Sequence, residues 1–553
     1  MRLARDRVLL VALALAGCDG DAAYLGSARA PYTCVSRCQI EQDSPLDAGD
    51  WFNAPETELG DAPLIVYPLA NSIQPKDLSH LTVQFRRGRS DFNLFRLRVA
   101  AADGGVAYDF FTRCLVADGD GCRYTLQGDT WDAARDELED VPIVLTVTGA
   151  TARRGVTKTS EPLDLRISPS ELQNKGFYYW TSVPIYSGAE EQHATGIFRL
   201  PFGADRAEPF IMPGTKTNER DCGACHSVSR DGSTIAFTAR NENDVSNDQR
   251  SGVLVTALTS KPQAPLVQPP MDASYDSSMM ALSSTGSYVL VAYDDRLVLR
   301  RADDTNAIPL AMLTRADLGG KIAYFPEFSR DDDAVVVTLS DRPDSAIAVR
   351  SGDIAVIDID LVQTSFGAVH TVVEGTENEF HFYPTWSPDQ KYIAFASAPR
   401  EYDELGYFRK SYDQKRARLR LVAREGGTVY ELSNATHQAD SWSTFPKFAP
   451  FQSQDGLMFL TFNSKINYGL LLVNEAKNTD QDRLAQLWMS AIDVSKLPND
   501  PSSAPVWLPF QDYGQSSHLG IWTDDVKCRT DVGGTGCGAG QQCRQGRCVV
   551  VLK

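Results

Sequence analysis

The sequence predicts an all-β protein in which a β-sandwich is followed by a ring of β-blades and a small cysteine-rich tail. Two observations carry this expectation. Short runs of period-two alternation fill residues 58–172, and a motif recurs along residues 177–525. Alternation of this kind places one face of a strand in a core and the other in water. A recurring group of strands cannot bury both its faces alone, so its copies must stack on one another. At 553 residues the chain is also too long for a single core.

Residues 1–18 read as an export signal. Arg2, Arg5 and Arg7 form a basic start, and VLLVALALAG (8–17) is apolar but too short to span a bilayer. The run ends in LAGC, which resembles the lipobox of bacterial lipoproteins. That resemblance implies cleavage before Cys18 and a lipid on its sulfur. The mature chain is then expected in the cell envelope of a Gram-negative-type bacterium, tethered by lipid, at the outer rather than the inner membrane. Asp19 follows Cys18; in enteric bacteria an Asp there favours inner-membrane retention, a rule that need not transfer. Residues 19–57 are polar, without sustained periodicity, and read as a flexible tether. The net charge of −18 sets the chain against nucleic acid, whose phosphates it would repel, and no polybasic patch marks a membrane surface.

Over 58–172 the runs APLIVYP, HLTVQFRR, FNLFRLRVA, VAYDFFTRC, CRYTLQ, VPIVLTVTGA and PLDLRIS alternate with turn-rich gaps. This is the pattern of an immunoglobulin or fibronectin-like sandwich. The ADGDG run (117–121) reads as a solvated hairpin turn, not a calcium loop.

From residue 177 the chain repeats. YFPEFSR (324–330), FYPTWSP (382–388) and TFPKFAP (444–450) align without gaps, and each leads through a turn into an apolar strand. Looser copies begin at Met279 and His226. Each copy reads as the inner strand, turn and second strand of a propeller blade. Five inner strands are thus visible. A sixth blade follows from the ends: GFYYWTS and TGIFRLPF (176–202) supply outer strands, and SSHLGIWTDD (516–525) supplies their inner one. At WSPDQKYIAF (386–395) the repeat resembles the TolB-type, WD-repeat-like six-bladed β-propeller. The resemblance covers about 350 residues and implies a fold, not an activity.

The eleven cysteines suit an exported chain. Cys18 apart, they fall in close groups that local disulfides could join: Cys34/Cys38, Cys114/Cys122, Cys222/Cys225, and Cys528/Cys537/Cys543/Cys548. The last group lies in the tail, 526–553, which has too little apolar content to be ordered without cross-links. It resembles the small EGF-like modules of exported bacterial proteins; zinc is the alternative.

One stretch carries two signals. DCGACHSVSRDGSTIAFTAR (221–240) holds C-x-x-C-H, the spacing that attaches c-type haem, directly before a blade strand. Cys222 and Cys225 would bind the vinyl groups and His226 the iron. The other readings are a Cys222–Cys225 disulfide, or a zinc half-site with His226 an ordinary rim residue. Aligning Ser229, Ser329 and Ser387 puts His226 at Pro326 and Pro384, and Cys225 at Phe325 and Tyr383. A haem there would sit at the mouth of the propeller channel, with Met280, His381 or His518 as candidate second ligand. Met279, Tyr324 and Trp442 share that level. The Asp331–Asp333 turn reads as solvated. There is no G-x-S-x-G elbow and no H-E-x-x-H spacing, so no catalytic group is assigned. Two functions remain: a binding or scaffold module docking an envelope protein or glycan at the channel face, or a haem-c electron-transfer protein.

Overall fold

A computed structural model describes residue 34 and residues 36–523, with the exception of 115–118, 154, 170–171, 173–175, 188–189, 201–205, 213–221, 241–251, 258–278, 294, 305–307, 343, 345–347, 403–405 and 472–483, together with 541–544 and 547–550. Cys18, Cys528 and Cys537 lie outside these residues, as does the lipobox.

The alternating runs of 58–172 become two facing sheets. Leu64–Tyr67, Leu81–Arg86 and Gly121–Leu126 form the smaller one. The larger is built on Leu94–Ala101 between Ala107–Thr112 and Pro142–Ala150, and it continues through Leu163–Ser168 to Ser72–Pro75. Phe85, Phe95, Leu97, Phe110 and Leu145 are buried between them. Two pairings in the larger sheet are parallel, and a helix over Asp129–Glu137 seals one end with Trp131 and Ala134. Cys34–Cys38 and Cys114–Cys122 are disulfide-bonded.

The expected tether over 19–57 needs correction from Cys38 onward. Cys38–Ile40 adds a parallel strand beside Ala107–Thr112. A short helix, Ala48–Trp51, follows; Ala48, Trp51 and Phe52 pack on Leu94 and Phe111. Ile40, Trp51 and Phe52 are too widely spaced to produce a period, which is why the sequence reads as irregular there.

The repeats form six antiparallel blades. Blade 1 runs Cys222–Val228, Thr234–Arg240, Gly252–Ala257. Blade 2 runs Met280–Leu282, Tyr288–Tyr293, Arg296–Arg301, Ala311–Thr314. Blade 3 is Ile322–Phe328, Ala334–Ser340, Asp353–Asp360, Ser365–Val373. Blade 4 is Glu379–Trp386, Tyr392–Pro399, Arg418–Ala423, Tyr430–Glu431. Blade 5 is Thr444–Gln452, Met458–Ser464, Gln486–Ile492, Val506–Trp507.

Blade 6 joins the two ends of the repeat region. Ser517–Trp522 is its inner strand and pairs with Phe177–Ser187, which pairs with Glu190–Leu200, which in turn pairs with Glu208–Ile211. Phe177 stands opposite Trp522, with ring centroids 4.3 Å apart, and Trp522 Nε1 donates to Thr461 Oγ1 of blade 5 at 2.8 Å. The inner strands contact their neighbours all the way round, blade 6 against blade 1 included.

A serine shapes the turn after four inner strands. Ser229, Ser283, Ser329 and Ser387 each accept, on Oγ, the backbone N–H five residues on: Thr234 at 2.9 Å, Tyr288 at 3.0 Å, Ala334 at 3.0 Å and Tyr392 at 2.9 Å. The hydroxyl thus satisfies the first donor of the returning strand, as side-chain-to-backbone turns do. At the turn between them Gly286 has φ +69°, and a Cβ there would sit 2.5 Å from Thr234 Oγ1, so glycine is required. Asp332 is no solvated turn residue. It accepts from Ser284 N at 2.8 Å and joins the turns of blades 2 and 3.

The sandwich is docked on blade 5. Tyr67 packs on Tyr468, which stacks on Trp507 at 4.0 Å, and Tyr67 Oη accepts from Trp507 N at 3.0 Å. Asp455 pairs with Arg166 at 3.1 Å and accepts from Ser168 Oγ at 3.0 Å. Cys543 and Cys548 face each other in the register of the tail hairpin Gln541–Arg544/Arg547–Val550.

Because Trp522 is buried and closes the ring, Trp522→Ala should cost about 3–5 kcal/mol. Urea unfolding of the two proteins checks this; a loss below about 1 kcal/mol would mean that the closure contributes little.

Candidate functional site: the axial pocket

The strand that carries C-x-x-C-H is an ordinary inner strand with a break in it. Cys225 adopts φ +44°, and the pairing register shifts between Ala224 and Ser227. The same break recurs at Phe325 (φ +53°), Tyr383 (φ +54°), Phe445 (φ +50°) and Leu519 (φ +50°). A left-handed non-glycine residue is uncommon and is held only where packing over-determines it. Here the packing is the propeller axis. Cys225, Met279, Phe325, Tyr383, Phe445 and Leu519, one from each blade, belong to a single buried cluster. Tyr383 stacks on Phe445 at 3.9 Å and meets Phe325 edge-on at 4.5 Å. Together they plug the channel.

Beneath the plug, towards the serine turns, lies a pocket of about 120 Å3 to which all six blades contribute. His226, Met279 and Met280 form one side, Pro326, Pro384 and Lys447 another. Its charged groups hold the blades together. Glu327 of blade 3 accepts from Thr385 Oγ1 at 2.8 Å and Trp386 N at 2.9 Å in blade 4, and it pairs with Lys447 of blade 5. Arg230 donates to Pro450 O at 2.8 Å.

His226 differs from these. It is 2% exposed, and neither ring nitrogen makes a hydrogen bond of good geometry. Burial pushes its pKa down to about 4, with the Tyr178 backbone opposing and the Lys447 charge adding to the effect. It is therefore a neutral imidazole in the pocket wall.

Of the candidate second ligands, Met280 shares the pocket with His226; His381 and His518 do not line it. His381 binds Ser397 Oγ at 2.8 Å and the Glu374 carbonyl at 3.2 Å, so both its nitrogens are engaged. His518 stacks on Trp180 at 4.1 Å and is held by Asn463 Nδ2 and Ser516 Oγ, each at 2.8 Å. Tyr324 and Trp442 are buried. The side chain of Cys222 lies outside the described residues.

A porphyrin does not fit the axial pocket. Ordinary small-molecule sites span about 300–1,000 Å3, and Phe325, Tyr383 and Phe445 fill the space above this one. The pocket instead suits waters or a single small ion. Among the described residues there is no group of three or more His, Cys, Asp or Glu side chains that could hold a metal. Glu327 and Lys447 were not singled out by sequence reasoning; their place directly after the proline of YFPEF and TFPKF was the available signal.

No protein-family model and no curated protein sequence matches the chain. Solved structures overlap it loosely. One described as a nidogen/laminin complex is 9% identical, with 63% of this chain and 98% of that chain covered, at TM-score 0.34. A puromycin hydrolase is 16% identical over 59% of this chain and 45% of that one, at 0.35. The dihydro-heme d1 dehydrogenase NirN is 14% identical over 61% and 54%, at 0.29. Likenesses at this level say nothing of chemistry, and the ring of blades rests on its own strand pairings.

The Asn463 hydrogen bond of His518 fixes its protonation. Asn463 Oδ1 is committed to Leu519 N at 3.1 Å, so its amide nitrogen must donate to His518 Nδ1, which therefore carries no proton. Burial, reinforced by Lys465, lowers this pKa to about 3 from the ordinary 6.5. In that window the unfolded chain binds a proton that the folded chain does not, so stability falls as pH drops below 6.5. Relative to His518→Gln, the wild type should lose about 3 kcal/mol between pH 7 and 4. Urea titrations across that range test it; a constant difference between the two proteins would contradict the assignment.

Proposed function

We propose that the chain is an exported, lipid-anchored binding or scaffold module of a bacterial cell envelope, which presents the serine-turn face of its propeller to a protein or glycan. The observation that carries this reading is the plugged axis. A channel closed by six side chains offers a surface and not a conduit, and Arg230, Glu327 and Lys447 beneath it are committed to the blade seams. The sandwich supports the same reading, because it is anchored on blade 5 through Tyr67, Tyr468 and Trp507. Lipid on Cys18 would hold the protein at a membrane surface, outer rather than inner. Among the described residues no helix is long and apolar enough to cross a membrane.

A second reading, covalent haem c on Cys222, Cys225 and His226, is favoured by the C-x-x-C-H spacing and opposed by the small axial pocket beside His226. When bound, the haem would supply one-electron chemistry. Production with a cytochrome c maturation system separates the two readings: a pyridine haemochrome band with added haem mass supports the second, and a colourless protein of unaltered mass removes it.

For the first reading, a photo-crosslinking residue placed in living cells at Asp331, exposed on the serine-turn face, should yield a discrete adduct. The same residue at Glu377, exposed on the opposite face, should not. Equal labelling from both positions would refute the assigned face. Cys18→Ala should release the protein from the membrane fraction and abolish incorporation of labelled fatty acid; unaltered fractionation would refute the anchor.

A further inference from the structure

Each inner strand carries a plug residue and the one after it, which in blades 1 to 4 also lines the axial pocket. In blades 3 to 6 these are Phe325–Pro326, Tyr383–Pro384, Phe445–Pro446 and Leu519–Gly520, and none of these eight can ligate a soft metal through its side chain. In blades 1 and 2 they are Cys225–His226 and Met279–Met280. Nitrogen or sulfur occupies all four positions of two adjacent blades.

The seam between those blades sets them side by side. Leu282 N donates to Ser227 Oγ at 3.0 Å, and Asp231 N donates to the Ser284 carbonyl at 3.1 Å. His226 and Met280 stand at equivalent positions of the two inner strands, and both line the axial pocket with Met279. The two methionines are buried, at 8% and 5% exposure, and neither nitrogen of the imidazole makes a hydrogen bond of good geometry, with the Tyr178 backbone beside it. A buried polar group without a partner calls for a physical explanation. Packing alone explains methionine in a plug, where the thioether fills irregular gaps. It does not explain a histidine at a position that proline or glycine fills in four other blades.

We propose that the axial pocket binds a single copper(I) ion, with the imidazole of His226 and the thioethers of Met279 and Met280 as ligands. Thioether and imidazole donors together favour a soft, low-charge ion over magnesium or calcium, which take oxygen ligands. A pocket of about 120 Å3 suits one ion and leaves no room for a large ligand. The Lys447 charge is balanced by Glu327, and Arg230 adds a positive charge nearby, which penalises a divalent ion more than a monovalent one. The site is independent of the envelope-docking reading and competes with haem for His226.

The test uses the full chain produced without haem maturation, kept anaerobic in ascorbate so that its disulfides stay intact. Copper(I) is titrated in competition with bicinchoninate. One equivalent should be retained per chain, and X-ray absorption should show both nitrogen and sulfur neighbours. Met279→Leu/Met280→Leu, which keeps side-chain volume, should bind at least about tenfold more weakly at an unchanged unfolding midpoint. If that variant unfolds, His226→Gln is read in the same way. Failure to hold copper against the competitor would overturn the proposal. So would wild-type affinity in these variants, which would place the copper on cysteines elsewhere, and so would coordination by oxygen and nitrogen alone.

Discussion

The pairing of Ser517–Trp522 with Phe177–Ser187 is the constraint on which the rest depends. An open row of blades leaves two apolar faces in water, and burial of such faces is the main favourable term in folding. Closing the row through a blade shared by both ends removes those faces. It also ties the first strand of the propeller to its last, so no blade can leave alone. The docking of the sandwich on blade 5 follows from that rigidity, because Tyr468, Trp488 and Trp507 present a fixed aromatic surface to Tyr67.

A ring of six blades brings six inner strands close to one axis, and the left-handed break in five of them is the local response. The break turns one residue per strand into the axis, where it meets its counterparts. The cost of such a backbone is about 1–3 kcal/mol per residue. Burial of large rings such as Phe325, Tyr383 and Phe445, each worth about 1.5–3 kcal/mol or more, offsets it. Blades 1 and 2 contribute smaller, sulfur-bearing residues to the same ring. The chemically unusual side of the pocket is therefore a local departure from an otherwise hydrophobic repeat.

Much of this was legible in the sequence, for physical reasons that differ from part to part. The sandwich strands alternate because one face is wet, and all seven alternating runs became strands. The blades repeat because each meets its neighbour in the same way, and the serine of the repeat is the residue whose hydroxyl holds the turn. Alignment on that serine placed His226 and Cys225 at the level of Pro326 and Phe325, and the shared positive φ of Cys225, Phe325 and Tyr383 agrees with that placement. Contacts between distant segments were not legible. Ala48, Trp51 and Phe52 follow no period, the Asp129–Glu137 helix is too short to stand out among strands, and the Glu327–Lys447 pair joins residues 120 positions apart. His381 and His518 looked like His226 in the sequence; the polar side chains around them, which only the fold assembles, set them apart.

The central claim is that the two ends of the repeat region form one blade and open as one unit. Native-state hydrogen exchange, read by mass spectrometry on peptides covering 177–181 and 517–522, tests it most directly. The account predicts the same high opening free energy for both, equal to that of the inner strand of blade 4, Glu379–Trp386. Exchange of 517–522 well before 177–181 and before blade 4 would contradict it, since the last strand would then be an appendage and not the closure of the ring.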